Sequence, residues 1–224
     1  MNNQTPSHHI APDVLMAYAA GSLDEAHSVL VATHLALCPT CREAASGYEA
    51  LGGALVDAMP ETAVEEEALQ SVFAMIDAAP DEASLETDCR NHSEEMTKIF
   101  PAPLREYLPG DWSQFQWKSR GLSVKEAVFD IGNGETKASL LWIKPGASVP
   151  SHTHSETETT LVLKGAFDDQ TGHYGRGDVA VATPDVNHSP TASDGEECIC
   201  FAVVSGHLEL TGTVGRFFNP FIKI

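Results

Sequence analysis

Two spacings of apolar residues divide the chain. Between residues 12 and 79 they recur every three or four positions, the period of a helix face. Asp13 is placed to cap a short apolar helix through Tyr18, and Gly21 to end it. Ser22 with Glu25 makes a capping box before a second helix, SLDEAHSVLVATHLAL, where Leu23, Ala26, Leu30, Val31 and Leu37 suit packing on other helices. Thr40 with Glu43 opens a third helix, through about Asp57, and Thr62 with Glu65 a fourth, VEEEALQSVFAMIDA. On the fourth, Leu69, Val72, Phe73 and Ile76 form an apolar stripe, and spacing alone favours core over a partner-binding face.

The period is lost over PDEASLETDCRNHSEEMTK, which is polar and acidic and reads as a linker. From about Trp112 it becomes two. SVKEAVFDI, KASLLWIKP, TETTLVLKG, DVAVATP and ECICFAVV are short runs rich in β-branched and aromatic residues, separated by turn signals such as GNGE and DDQTG. Short strands so closely spaced predict a closed or nearly closed antiparallel barrel. The expected fold is therefore α+β and multidomain. It comprises a small helical domain at 1–80, a linker at 81–98 and an antiparallel β-barrel at 99–224.

Hydrophobic residues make up 42% of the chain and charged ones 20%, the composition of a globular protein. No apolar run approaches the roughly 18–20 residues that cross a bilayer. MNNQTPSHHI lacks a basic region followed by an apolar one, so no signal peptide is expected and the chain is assigned to the cytoplasm. In that reducing compartment five cysteines suggest metal ligands and buried thiols rather than a disulfide framework. The net charge of −19 is uneven. Through Glu95 there are 17 acidic residues against Arg42 and Arg90, giving −15, and the remainder carries −4. A helical half this acidic is repelled by phosphate backbones, which argues against direct nucleic-acid binding, and it is attracted to a basic protein surface.

His34, Cys38 and Cys41 form H-x3-C-x2-C. The first interval is one helical turn, so His34 and Cys38 share a face, and Pro39 lets Cys41 turn back from the next helix. Two thiolates and an imidazole suit Zn2+, which favours four tetrahedral N/S ligands, and the His8–His9 pair is the natural source of the fourth. A redox role for the cysteines would need a thioredoxin-like βαβ context, which the pattern lacks. His27 reads as surface, and Cys89 and His92 as loop residues.

A second constellation begins at Gly146: G-x5-H-x-H-x3-E-x6-G, through His152, His154 and Glu158 to Gly165. On strands these three share a parity and hence a face. Gly177 with Asp178, then Pro184 and His188, offer a further ligand from another strand. Three imidazoles and a carboxylate suit a divalent Zn, Fe, Mn, Ni or Co, without choosing among them. Cys198 and Cys200 alternate on an apolar strand and read as buried thiols, while His173 and His207 read as structural or exposed.

The first constellation resembles the zinc-binding anti-sigma domain, and the second resembles the paired cupin motifs. In this order, with ATHLALCPTC, LLWIKPG and TLVLKGAF, the whole chain is similar to ChrR-type anti-sigma factors. The resemblance implies a zinc site at His9, His34, Cys38 and Cys41, with His8 as the substitute for His9, and a cupin metal site at His152, His154, Glu158 and His188. The P-x3-H spacing around Asn187 departs from the more usual cupin motif. It further implies a regulator with no catalytic residues. Such a protein holds an extracytoplasmic-function-type (group IV) sigma factor inactive in the cytoplasm and releases it under oxidative stress such as singlet oxygen or organic hydroperoxide. The alternative is a cupin metalloenzyme, a dioxygenase or isomerase, with an accessory helical domain. A metal-dependent enzyme would use an open coordination position for substrate, but it gives no reason for an acidic, thiolate-bearing module.

Overall fold

The computed structural model describes residues 5–79, 92–132, 136–206 and 208–211, and of 208–210 the backbone alone. Helices α1 (Pro12–Ala19), α2 (Glu25–Leu37), α3 (Pro39–Asp57) and α4 (Ala68–Ala78) come first. Then follow the short helices α5 (Glu94–Ile99) and α6 (Ala102–Arg105), a 3-10 turn at Trp112–Gln114, and eleven strands among the described residues.

Helix boundaries follow local chemistry, not always through the expected residues. Pro12 takes the first position of α1, where its missing N–H costs nothing, and Asp13 lies in the first turn instead of capping. Gly21 ends α1 as expected, at φ 66°. Its N–H reaches Tyr18 O at 2.9 Å and that of Ser22 reaches Ala17 O at 3.0 Å. Ser22 is thereby committed to α1, its hydroxyl also donating to Ala17 O. Asp24 caps α2 in its place, accepting from His27 N–H at 3.0 Å. Likewise α3 is capped not by Thr40 but by the Cys38 sulfur, which accepts from Cys41 N–H. Helix α4 starts beyond the Thr62–Glu65 pair, with no side-chain cap.

Strands β1 (Lys118–Ser119), β2 (Val124–Phe129), β3 (Thr136–Ile143), β10 (Cys198–Ser205), β5 (Glu158–Lys164) and β8 (Val179–Ala182) form, in that order, one antiparallel sheet. A three-stranded sheet, β7 (His173–Gly175), β6 (Ala166–Asp168) and β9 (Thr191–Ala192), and a pair, β11 (Leu208–Leu210) with β4 (His152–His154), complete the barrel. Strand β10 is buried on both faces, so its alternation is hidden in a continuous apolar run. Ile199, Phe201 and Val203 face a core shared with Ile10, Leu15, Leu30 and Val31 of the helical half and with Met96, Phe100, Leu104 and Leu108. Cys198 and Cys200 face the second core, inside the barrel, with Val162, Phe167 and Tyr174.

The helical half thus covers the outer face of the large sheet, with α2 packed on α6, β3 and β10. Within the segment expected to be a linker, residues 80–91, and so Cys89, lie outside the described residues, whereas α5, capped by Ser93, buries Met96 and Ile99. The expectation that the α4 stripe is core is overturned. Leu69, Val72, Phe73 and Ile76 are 50–64% exposed, and no residue of α4 is buried.

Candidate metal centres

The α2–α3 turn builds the first cluster. His34 occupies the last turn of α2, Cys38 ends it, and Pro39 redirects the chain so that Cys41 returns within the first turn of α3. The extended segment before α1 brings His9 Nδ1 to 3.3 Å from Cys38 Sγ and 3.5 Å from Cys41 Sγ. His34, Cys38 and Cys41 are buried and His9 is exposed, and one ligand atom from each of the four lies within 4.8 Å of the others. His8 turns elsewhere, its ring 4.3 Å from that of Tyr174 and its Nδ1 3.7 Å from Asp178.

The electrostatics of this cluster suit a cation. His34 Nδ1 donates to Gly177 O at 2.8 Å, which fixes the proton there and leaves Nε2 buried with no hydrogen-bond partner. Burial holds the His34 imidazole below its usual pKa, hence neutral. Burial, with the nearby Cys38 thiol, pushes Cys41 up to about 11 despite an N–H contact from Ile10. Such a thiol becomes a thiolate only when a cation compensates the charge. A sulfur and a nitrogen bound tetrahedrally to one zinc stand about 3.6 Å apart, close to the separations observed.

The second cluster lies inside the barrel. His152 and His154 flank Thr153 on β4, Glu158 opens β5, and His188 reaches in beside His152 through a bridge whose two N–H···O bonds are both 3.1 Å. All four are buried, again with one ligand atom each inside 4.8 Å. His152 Nε2 is 3.0 Å from His188 Nε2, and Glu158 Oε2 is 3.0 Å from His154 Nε2 and 3.7 Å from His188 Nε2. The His154–Glu158 approach is not aligned as a hydrogen bond, and neither ring nitrogen of His154 has a hydrogen-bond partner. Donor atoms about 2.1 Å from one ion lie about 3.0–3.4 Å apart, so these spacings fit a shared centre.

His152 Nδ1 donates to Pro150 O at 2.8 Å, aiming Nε2 inward. Burial lowers its pKa to about 4, with the adjacent His188 acting in the same direction, and burial lowers that of His188 too. Burial alone would raise Glu158, but its contact with His154 and the surrounding imidazoles hold the carboxyl below its usual value. Neutral imidazoles around an ionised carboxylate are the protonation states a divalent ion needs. Beside the cluster is a cavity of about 300 Å³ lined by Val149, Phe167, Ala180 and Cys200, and also by the buried Glu126 with its ion partners Arg120 and Lys137.

The remaining candidates fall outside both clusters. His27 pairs with Asp24 and the exposed His173 with Asp168, while His207 lies outside the described residues. Cys198 and Cys200 are buried with sulfurs 3.5 Å apart. The reading from sequence missed the groups that orient the ligands. The carbonyls of Pro150 and Gly177 carry no side-chain signal, and Asp178 was visible only as part of a turn.

Helices bearing a thiolate–imidazole cluster, laid over a sheet that encloses an imidazole–carboxylate cluster, define a zinc-finger-type helical region joined to a cupin-like domain. The family described as "ChrR Cupin-like domain" matches residues 110–209 and that described as "Putative zinc-finger" matches residues 13–42. The chain is 38% identical over 220 residues to the anti-sigma-E factor ChrR of Cereibacter sphaeroides, covering 98% of this chain and all of that one. The solved structure of Rhodobacter sphaeroides SigE in complex with the anti-sigma ChrR is 40% identical, with a TM-score of 0.75 over 89% of this chain and 99% of that one. A cupin from Ralstonia eutropha JMP134 is similar at 21% identity and a TM-score of 0.41, over 47% of this chain and 72% of that one. This chain belongs to the ChrR family of anti-sigma factors, regulators rather than enzymes. No helix among the described residues is long and apolar enough to cross a membrane.

Proposed function

We propose that this anti-sigma factor acts in the cytoplasm, where it binds and inhibits an extracytoplasmic-function-type sigma factor and releases it under oxidative stress such as singlet oxygen or organic hydroperoxide. The observation that carries the partner assignment is the apolar stripe of α4. Phe73 at 56% and Ile76 at 62% exposure, with Leu69 and Val72 beside them, leave the apolar stripe of α4 uncovered, the kind of exposed apolar face that marks an interaction surface. It lies in the half of the chain that carries −15, which suits a basic partner. The neighbour structure in which SigE is held by a chain of this family supports the same reading.

Residues 1–80 then constitute the inhibitory domain, 81–98 the connection and 99–224 the sensing barrel. His9, His34, Cys38 and Cys41 would hold zinc, which ties the segment before α1 to the α2–α3 turn. His152, His154, Glu158 and His188 would hold a divalent ion, Zn or Fe, Mn or Ni, which supplies the barrel with a Lewis-acid or redox centre. Burial keeps the imidazoles of His152 and His188 neutral. The test is co-expression of the full chain with such a sigma factor and a reporter promoter. Phe73→Asp with Ile76→Asp should abolish capture and repression. His152→Ala with His154→Ala should preserve repression and blunt its release by singlet oxygen. Undiminished capture by the α4 variant would remove the basis of the partner assignment.

A further inference from the structure

Between β7 and β8 the barrel makes a tight turn that points away from its own cavity and into the helical half. Asp178, 5% exposed, accepts the backbone N–H of Ser7 at 2.6 Å, of His8 at 2.8 Å and of Gly175 at 2.8 Å. Val179 N–H returns to His8 O at 3.2 Å. One residue earlier, the Gly177 carbonyl accepts from His34 Nδ1 at 2.8 Å. Gly177 sits at φ 91°, and a Cβ there would stand 2.7 Å from Pro6 Cγ and 3.4 Å from Leu37 Cβ. Only glycine allows the two halves to approach so closely at this point.

We propose that this Gly177–Asp178 turn is the outer support of the zinc site, so that retention of zinc in the helical half depends on the barrel. The inference rests on the assignment of His9, His34, Cys38 and Cys41 to zinc. Two of those four ligands are positioned from the turn. The carbonyl of Gly177 fixes the proton and ring orientation of His34, directing Nε2 at the thiols. The Asp178 carboxylate, which is costly to bury unless fully bonded, holds the backbone of Ser7 and His8 in place immediately before His9. Cys38 and Cys41 need no such help, because the α2–α3 turn fixes them. Strand β8 (Val179–Ala182) starts immediately after Asp178 and ends at Ala182, which pairs with Glu158 of the barrel cluster. At about 3.3 Å per residue this link spans only about 13 Å. A displacement of β8 at the barrel centre is thus carried to the Gly177 carbonyl that orients His34 and to the Ser7–His8 backbone that precedes His9.

The experiment uses the full-length chain loaded with zinc, following its release into a chromophoric chelator and the content of barrel metal per chain. Asp178→Ala should speed zinc release about tenfold or more, the scale on which groups that orient metal ligands act, while barrel metal stays at the wild-type level. Asp178→Asn, which keeps the shape and one acceptor, should fall between the two. Gly177→Ala should also speed release, by pushing Pro6 and Leu37 away. Release within twofold of wild type in Asp178→Ala, or faster release only together with loss of the barrel's metal, would overturn the proposal. Cys41→Ser serves as the control for the underlying assignment. If that variant retained zinc as tightly as wild type, the ligand set would be wrong and the inference would fail with it, a failure distinct from an unresponsive Asp178.

Discussion

Leu30 on α2 is 1% exposed and Phe73 on α4 is 56% exposed, although each belongs to an apolar stripe of helical spacing in the same acidic half of the chain. What separates them is the cover supplied from elsewhere. Helix α2 lies under α6, β3 and β10, elements that lie 65 to 168 positions beyond its end at Leu37 (from Ala102 of α6 to Ser205 of β10), and it shares a core with Leu140, Leu161 and Phe201. Helix α4 has no buried residue. Helical periodicity therefore specifies that a face is apolar, and only the long-range topology decides whether the chain covers it or leaves it for a partner.

Six substitutions can break or sharpen this contrast, and the largest effect should come where α2 meets the proposed zinc site. Cys38→Ser should remove zinc and open the α2–α3 turn, read as lost zinc content and lost helical circular dichroism, because binding at structural sites is folding free energy. The α4 signal alone should survive poorly resolved beneath that loss, so a helical, zinc-free variant that still captured its partner would contradict the structural role.

Next in size is the core itself. Leu30→Ala should cost about 2–5 kcal/mol by denaturant unfolding, as buried leucines do, whereas Phe73→Ala should stay within about 0.5 kcal/mol because more than half of its surface is exposed. The order reverses for the partner. Phe73→Ala should weaken sigma-factor binding by about 2 kcal/mol, or roughly 30-fold, as loss of an aromatic anchor does. Isothermal titration on the two variants decides the matter, and equal effects of both on stability would place α4 in the core after all.

Much of this was legible in the sequence. The two clusters could be read because metal chemistry restricts ligand types and helix or strand periods restrict their intervals, as with His34–Cys38 and His152–His154. The strands SVKEAVFDI and ECICFAVV stood out by β-branched content. The caps did not resolve, because Ser22 could serve either the Gly21 turn or the next helix and the sequence does not rank them. The short strands β6, β7 and β9 have too few residues to show a period, and α5 and α6 are held by Phe100 and Leu104 in a core assembled from both halves. The same assembly explains why a fragment ending near residue 80 would expose Leu30 and Val31, and why Asp178 could not be recognised as a neighbour of His8 from 170 positions away.

The smallest effect tests the ends of the two helices. Asp24 caps α2, so Asp24→Ala should cost about 1 kcal/mol, while Glu67, at the corresponding place before α4, makes no side-chain cap bond and Glu67→Ala should leave stability unchanged. The cap also carries a pH signature. Partial burial would raise the Asp24 carboxyl, but the His27 N–H and ring outweigh it and hold the carboxyl below its usual value. A group lowered in the folded state stabilises fully above its unfolded pKa, about 3.9, and loses that contribution as pH falls through the folded value. The stability difference between wild type and Asp24→Asn should accordingly persist at pH 5 and shrink under strong acid. It should also shrink slightly in high salt, since the carboxylate is partly exposed and its charge is screened. A difference that grew on acidification would mean that the carboxylate strains the start of α2 instead of securing it, and the contrast with the uncapped α4 would then lose its local basis.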